Sequence, residues 1–437
     1  MILKTQNIVK RTIITTGGNV TYQRYTLVPA DKESARKLWE QEQRKSIIPL
    51  DSAIQADHLP FRMTINMMLE VARAGILCKS YQEAEDTLRH YYGVEINDDT
   101  LREVTNYIGK IVYMEDCRLA RQAQYILDSG KLLADEDDVE DDVLYIMTDG
   151  AALNTVHHVN KKDPEDSSWK ENKLCVAFRQ SDIRSWTDPK TGEKQHKILK
   201  REYISYTGAV EEFKWHVLAL AIRNGYGRIK KTVIISDGAK WIQSMKDELF
   251  PEAQQILDLF HLKENVYEYA KALWNNDPLK YKPWASKVCN MLEKGKWKKV
   301  IDMLELHKDK ELDGAPVNLY TYILNHKDNI DYPSYREQGL FVGSGVIESG
   351  NKTVLQDRLK RSGMRWNVVT ARYILSLKAK EQSGMWESYV IPFVRSKLLH
   401  DAIPAKLPRG RKEQEQLEKI ELDKAREEEK QQMRLNT

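Results

Sequence analysis

What the chain lacks narrows its chemistry first. Cysteine is scarce: Cys78, Cys117, Cys175 and Cys289 are scattered through 437 residues with no close pair. That spacing excludes a sequence-readable zinc finger and argues against a disulfide scaffold. No apolar run approaches the ~20 residues of a membrane span, and the first residues hold no apolar signal core. A reducing cytoplasm is therefore the expected compartment. No Gly-x-x-x-x-Gly-Lys followed by Ser or Thr occurs, so ATP use is not indicated. Nor does a Ser/His/Asp or Cys/His arrangement stand out. An excess of one charge is missing too: the net charge is only +3 although 30% of residues are charged. Bulk charge therefore names no partner. The 41% hydrophobic content is ordinary for a chain of two or three domains with a substantial core.

What is present changes character along the chain. Residues 1–60 are mixed, with Val20–Val28 readable as a strand and Asp31 as a cap for a charged helix reaching Arg44. Residues 61–134 are helical in pattern, with Ile65, Met68, Leu69 and Ala72 on one face and Gly75 as a stop. Ser80-Tyr-Gln-Glu83 is a capping box, Gly93 a turn, and Thr100 to about Tyr113 a second helix. Two short helices around a Gly turn have helix-turn-helix spacing, with Thr100, Arg102, Glu103 and Asn106 on the face that would meet a major groove. Plain packing is the competing reading. An acidic linker follows at 135–142.

At Val143 the period shortens to that of strands. Val143–Thr148, Lys173–Gln180 and Leu199–Gly208 read as three strands, with Pro189–Gly192 as a turn. A helix Val210–Arg223, a strand Thr232–Ser236, a helix Ala239–Leu249 and a strand Gln255–Leu259 come next. This order is that of an α/β, ribonuclease H-like mixed sheet, with strands one and four adjacent. Residues 143–259 would form its first part and 341–400 its second. Between them, 260–340 reads as an all-helical insertion, and 401–437 as a charged tail supporting at most a solvated helix.

Three carboxylates stand out on this layout. Asp149 and Asp237 each end an apolar strand and precede Gly. Glu348 lies in Gly343-Ser-Gly-Val-Ile-Glu-Ser-Gly350, which opens a basic helical stretch. Hard oxygen ligands of this kind can hold two magnesium ions ~3.5–4 Å apart and so cut and join phosphodiester bonds. Asp-Gly is also common turn chemistry, and Glu348 could simply pair with Lys352 one turn on. The glycines around Glu348 imply close backbone approach, either to DNA or to a neighbouring element. Arg358-Leu-Lys-Arg-Ser-Gly-Met-Arg-Trp366 joins four positive charges to an aromatic, which suits phosphate contact and stacking. A solvated basic helix is the alternative. Asp258 and His261 close the fifth strand, either near the metals and scissile phosphate or in a structural role.

These segments resemble the DDE transposases of the ISLre insertion-sequence type. The resemblance rests on Tyr145-Ile-Met-Thr-Asp149-Gly150, Ile234-Ile-Ser-Asp237-Gly-Ala-Lys-Trp241-Ile242, Leu257-Asp258-Leu-Phe-His261-Leu and Gly343 through Trp366. Ile48-Pro-Leu-Asp51 and the helix pair from Ser80 extend it over roughly residues 45–385. It implies a ribonuclease H-like core and Asp149, Asp237 and Glu348 as catalytic metal ligands, with His261 a further catalytic residue in an acid-x-x-His motif. The cofactor would be Mg2+, two ions, with Mn2+ as a substitute. The expected partner is double-stranded DNA, both transposon terminal repeats and target, bound by Thr100, Arg102, Asn106, Lys352, Arg358, Lys360, Arg361, Arg365 and Trp366. Catalysis would follow assembly of a homo-oligomer in a synaptic complex, in the bacterial cytoplasm or nucleoid. Ala151-Ala152-Leu153 departs from the larger or hydroxyl residues often seen there, and the cysteine-rich N-terminal site of related groups is missing. The alternatives are a ribonuclease H-like nuclease without strand transfer, or an inactive DNA-binding relative acting as a repressor.

Overall fold

A computed structural model describes residues 2–42, 45–54, 60–130, 140–156, 168–192, 194–308 and 312–400, and in the tail 416, 418–424 and 427. Asp135–Val139 of the acidic linker and most of the tail lie outside the described residues. Two compact units interleave along the chain. Met1–Arg118, Asn154–Ser168 and Val354–Thr437 form the first; Leu119–Leu153 and Trp169–Thr353 form the second. The segment 341–400, expected to complete the sheet domain, is divided between them at Thr353.

The first unit opens with an antiparallel hairpin, β1 (Leu3–Thr15) and β2 (Gly18–Pro29), turning at Gly18 with φ 98°. The expected strand Val20–Val28 lies inside β2, while its partner carries mostly exposed residues and so little periodic signal. Asp31 accepts from the Ser34 amide at 2.7 Å and caps the helix Lys32–Glu42. Asp51 of the Ile-Pro-Leu-Asp segment is buried and receives Arg11, Arg24 and the Tyr22 hydroxyl.

Helices Ile65–Leu77 and Tyr81–Tyr92 follow, the second capped by Ser80, which accepts from the Glu83 amide at 3.0 Å, and closed by Gly93 at φ 62°. Gly75 does not stop its helix. It lies within it, and a Cβ there would sit 2.2 Å from Thr105 Oγ1, so the residue permits close packing instead. The expected second helix, Thr100 to about Tyr113, is the first part of a continuous helix Asp98–Asp128 within the stretch expected to be helical, and every residue from Val104 to Tyr113 is buried. Helix Val368–Gln382 packs against its Gly109, where a Cβ would lie 2.7 Å from the Tyr373 carbonyl oxygen.

The second unit is built on a five-stranded mixed sheet. Its strands are β3 (Glu140–Asn154), β4 (Trp169–Arg179), β7 (Glu202–Thr207), β8 (Ile229–Ser236) and β9 (Gln254–Leu257). Their order is β7-β4-β3-β8-β9, so the expected adjacency of the first and fourth core strands is observed. β4 and β7 pair antiparallel, while β3, β8 and β9 run parallel. Ile146, Ile234 and Ile256 are wholly buried, as befits parallel strands covered on both faces. One difference from the sequence reading is a separate hairpin, β5 (Ile183–Thr187) and β6 (Lys194–Ile198), at the Pro189–Gly192 turn. Its largely exposed residues lack the apolar alternation that marks a core strand.

Helices Val210–Arg223 and Lys240–Leu249 match their patterns closely. Beyond β9 the chain is helical: Leu259–Leu273, Pro278–Glu293, Trp297–Leu304, Leu319–Asn325 and Tyr332–Glu337, with no strand among the described residues of 260–340.

Candidate functional site

Strand register creates the site. Met147 of β3 pairs with Ile235 of β8, and two residues further along each strand stand Asp149 and Asp237. The two acids thus share a register position past the last recorded pair of two parallel neighbours. Asp149 is not the end of its strand, as the apolar run suggested. β3 continues to Asn154, so Asp149 marks where parallel pairing stops rather than where the strand does. Asp258 directly follows β9, the next strand over, and its amide donates to the Ser236 carbonyl at 2.7 Å. The end of parallel pairing in β3 and the termini of β8 and β9 therefore bring three acids to one end of the sheet.

Their environments set them apart. Asp149 is half-buried; its Oδ1 accepts from the Gly150 amide at 2.8 Å and its Oδ2 from Asn351 Nδ2 at 2.7 Å. Burial, with the charge of Asp237 nearby, raises its pKa above the usual carboxylate range. Asp237 is also half-buried, with Oδ1 accepting from the Ala239 amide at 2.9 Å. Its backbone carbonyl accepts from the Tyr322 hydroxyl at 2.7 Å, and His326 abuts Gly238. The helical insertion thus braces the Asp237 turn, a contribution that no local sequence signal announced.

Asp258 is wholly buried. Oδ1 accepts from the amides of Phe260 and Ser344, and Oδ2 from the His261 amide, His261 Nδ1 and the Ser344 hydroxyl. Burial pushes its pKa up, but the hydrogen bonds from His261, Ser344 and Phe260 outweigh it and hold the carboxyl below its ordinary value. The bond to Asp258 dominates at His261 and, against desolvation and with help from Asp237 and Asp149, raises the imidazole to about 9. At neutral pH this ring is an imidazolium among acids.

Glu348 is exposed, on the helix Gly345–Gly350, and its Oε1 lies 3.1 Å from the Ser344 hydroxyl. It accepts there rather than from Lys352. The glycines around it answer to neighbouring elements: a Cβ on Gly343 would lie 2.5 Å from the Phe260 ring, and one on Gly350 2.5 Å from Tyr203. Ligand atoms of Asp258, His261 and Glu348 lie within 4.8 Å of one another, a cluster to which Asp149 and Asp237 do not belong. One feature of this group opposes a metal cage: both Asp258 oxygens are already engaged by donors. Asp149, Asp237 and Glu348 instead each keep spare acceptor capacity, and hard oxygens of that kind suit Mg2+. The mutual repulsion of Asp149 and Asp237 fits the same cation.

The expected DNA-contacting residues divide. Arg102, Lys352, Lys360 and Arg365 are exposed, and Arg102 pairs with Asp99 at 2.5 Å. Thr100 is half-buried, and its amide donates to Asn97 Oδ1. Asn106 is 6% exposed, because the long helix is enclosed on all sides from Val104 to Tyr113; it cannot read a groove in this structure. Arg358 is likewise misplaced by the sequence reading. It is 1% exposed, donates Nε to the Gly75 carbonyl at 2.9 Å, and sits over the rings of Tyr81 and Trp366 at 4.6 and 5.1 Å. Trp366 donates to the Leu359 carbonyl, and Arg361 to that of Asp357, so the motif is partly a structural clasp. Residues that sequence reasoning missed are Ser344, Tyr322, His326 and Asn351. Only Asn351 carried a signal, its place three residues after Glu348 on one helical face.

Fold and site define a mixed α/β chain with acids at one end of its sheet. The chain belongs to the Uncharacterised protein family (UPF0236), whose profile matches residues 3–390. A relative from Streptococcus gallolyticus, the UPF0236 protein in vanSb 3'region, is 32% identical over 84 residues, 19% of this chain. That match spans only 18% of the relative's length. Among solved structures the chain is similar to the Drosophila P element transposase strand transfer complex, at 10% identity and a TM-score of 0.25. The alignment covers 81% of this chain and 85% of that one, and so low a score establishes no common fold.

Proposed function

We propose that this chain is a DDE-type DNA transposase, acting through metal-dependent phosphoryl transfer on a ribonuclease H-like core. The observation that carries the reading is the shared register of Asp149 and Asp237 on adjacent parallel strands. The strand order and the Glu348 helix that follows the helical insertion support it. Asp149, Asp237 and Glu348 would hold two Mg2+ ions, which supply a Lewis acid for the scissile phosphate and an activated oxygen nucleophile. The protein's own groups do the rest. Asp258 holds His261 charged and oriented through Nδ1, so that the imidazolium can meet a phosphate oxygen. Ser344 donates its amide and hydroxyl to Asp258, and the same hydroxyl proton is shared with Glu348 3.1 Å away, so that strand and helix meet at this residue. Lys352, Lys360 and Arg365 remain for the DNA backbone.

Cleavage of a duplex carrying the DNA immediately flanking the coding region, where this reading expects terminal repeats, with Mg2+, tests this against Asp237→Asn. The variant should lose cleavage by a factor of about 10^3 or more, since the ligand's charge is removed without change of shape. Equal activity would refute the assignment. Cleavage without joined products would favour a nuclease over a transposase.

A further inference from the structure

We propose that Asn351 is a positioning residue for Asp149, so that the helix bearing Glu348 also orients the acid of the first strand. The inference rests on the cation-binding reading above and deepens it. Asn351 Nδ2 donates to Asp149 Oδ2 at 2.7 Å, while the Gly150 amide takes Oδ1 at 2.8 Å. Each carboxylate oxygen thereby has one fixed donor and keeps acceptor capacity for a cation.

A neutral donor suits this place. A lysine would neutralise Asp149 and compete with a cation, whereas an amide fixes the rotamer and leaves the charge intact. Asn351 is 4% exposed, and its Oδ1 is buried with no hydrogen-bond partner. A buried carbonyl oxygen of this kind has the chemistry to accept from a cation-bound water. Asn351 also opens the π-helical turn Asn351–Gln356, where the ordinary helical spacing ends directly after the Glu348 turn. Such turns recur at functional sites. Partners of this type, one shell out from a metal, typically change affinity 10–100-fold when removed.

The test is Mn2+ binding to the metal-free full-length chain, read from the electron paramagnetic resonance of free Mn2+, with circular dichroism as the check on folding. Wild type, Asp237→Asn, Asn351→Ala and Asn351→Ser are compared. Alanine is a good helix former, and serine, whose hydroxyl is too short to reach Asp149, decides the matter should the alanine variant not fold. The folded Asn351 variant should bind Mn2+ about 10–100-fold more weakly than wild type. Wild-type affinity there, with Asp237→Asn weakened, would overturn the role of Asn351 alone. Indistinguishable binding by wild type and Asp237→Asn would overturn the cation site itself and this inference with it.

Discussion

Arg358 separates structure from DNA contact most sharply. Truncation to alanine removes a guanidinium that is 1% exposed, leaves the Gly75 carbonyl without its donor, and empties the space between Tyr81 and Trp366. The lost charge-assisted hydrogen bond is worth about 1.5–3 kcal/mol. Each desolvated ring contact adds up to about 2 kcal/mol. Against this stands relief of a buried charge, which burial already disfavours by lowering the Arg358 pKa. The balance is a loss of roughly 3–5 kcal/mol, or a melting temperature lower by about 10 °C for a unit of this size. Arg358→Met, which keeps most of the volume without a charge to bury, should lose less than half of that. Thermal melts followed by circular dichroism give the shifts, and binding to a labelled duplex gives the affinity. Arg365→Ala, at an exposed position, is the control that should weaken DNA binding without moving the melt. If Arg358→Ala melts like wild type and binds DNA more weakly, the clasp is wrong and the side chain is a phosphate contact after all.

Two further outcomes are expected. In metal-free protein the His261 imidazole should titrate near 9 by nuclear magnetic resonance, and Asp258→Asn should bring it down toward 6.5. Because the folded value is raised, the stability it contributes is full below about 6.5 and fades as pH rises through about 9; a wild-type midpoint near 6.5 would contradict the pairing. Gly109→Ala would force a Cβ to 2.7 Å from the Tyr373 carbonyl, and should cost about 1–3 kcal/mol in a denaturant titration, whereas an unchanged midpoint would show that the two helices can part freely.

Local pattern alone determined much of this protein. Buried strands such as Thr232–Ser236 advertise themselves as apolar runs, and Ser80 and Asp31 act as the caps their sequence contexts promise, because these features depend on neighbours within a few residues. The candidate acids Asp149, Asp237 and Glu348 stand out in the sequence for the same reason: each sits at a change of local pattern. Exposed strands β1, β5 and β6 were not legible, since a strand with no buried face carries no alternation. Nor could burial be read for polar groups. Asn106 and Arg358 look like surface residues by type, and only the helices and rings packed around them enclose their side chains. Long-range register was likewise decided in three dimensions. Whether Asp149 faces Asp237, whether Asp258 spends its oxygens on His261 and Ser344, and whether Asn351 meets the first strand depend on contacts between segments far apart in the chain. Those contacts form only when the sheet closes and the helix bearing Glu348 packs onto it, which no stretch of sequence encodes by itself.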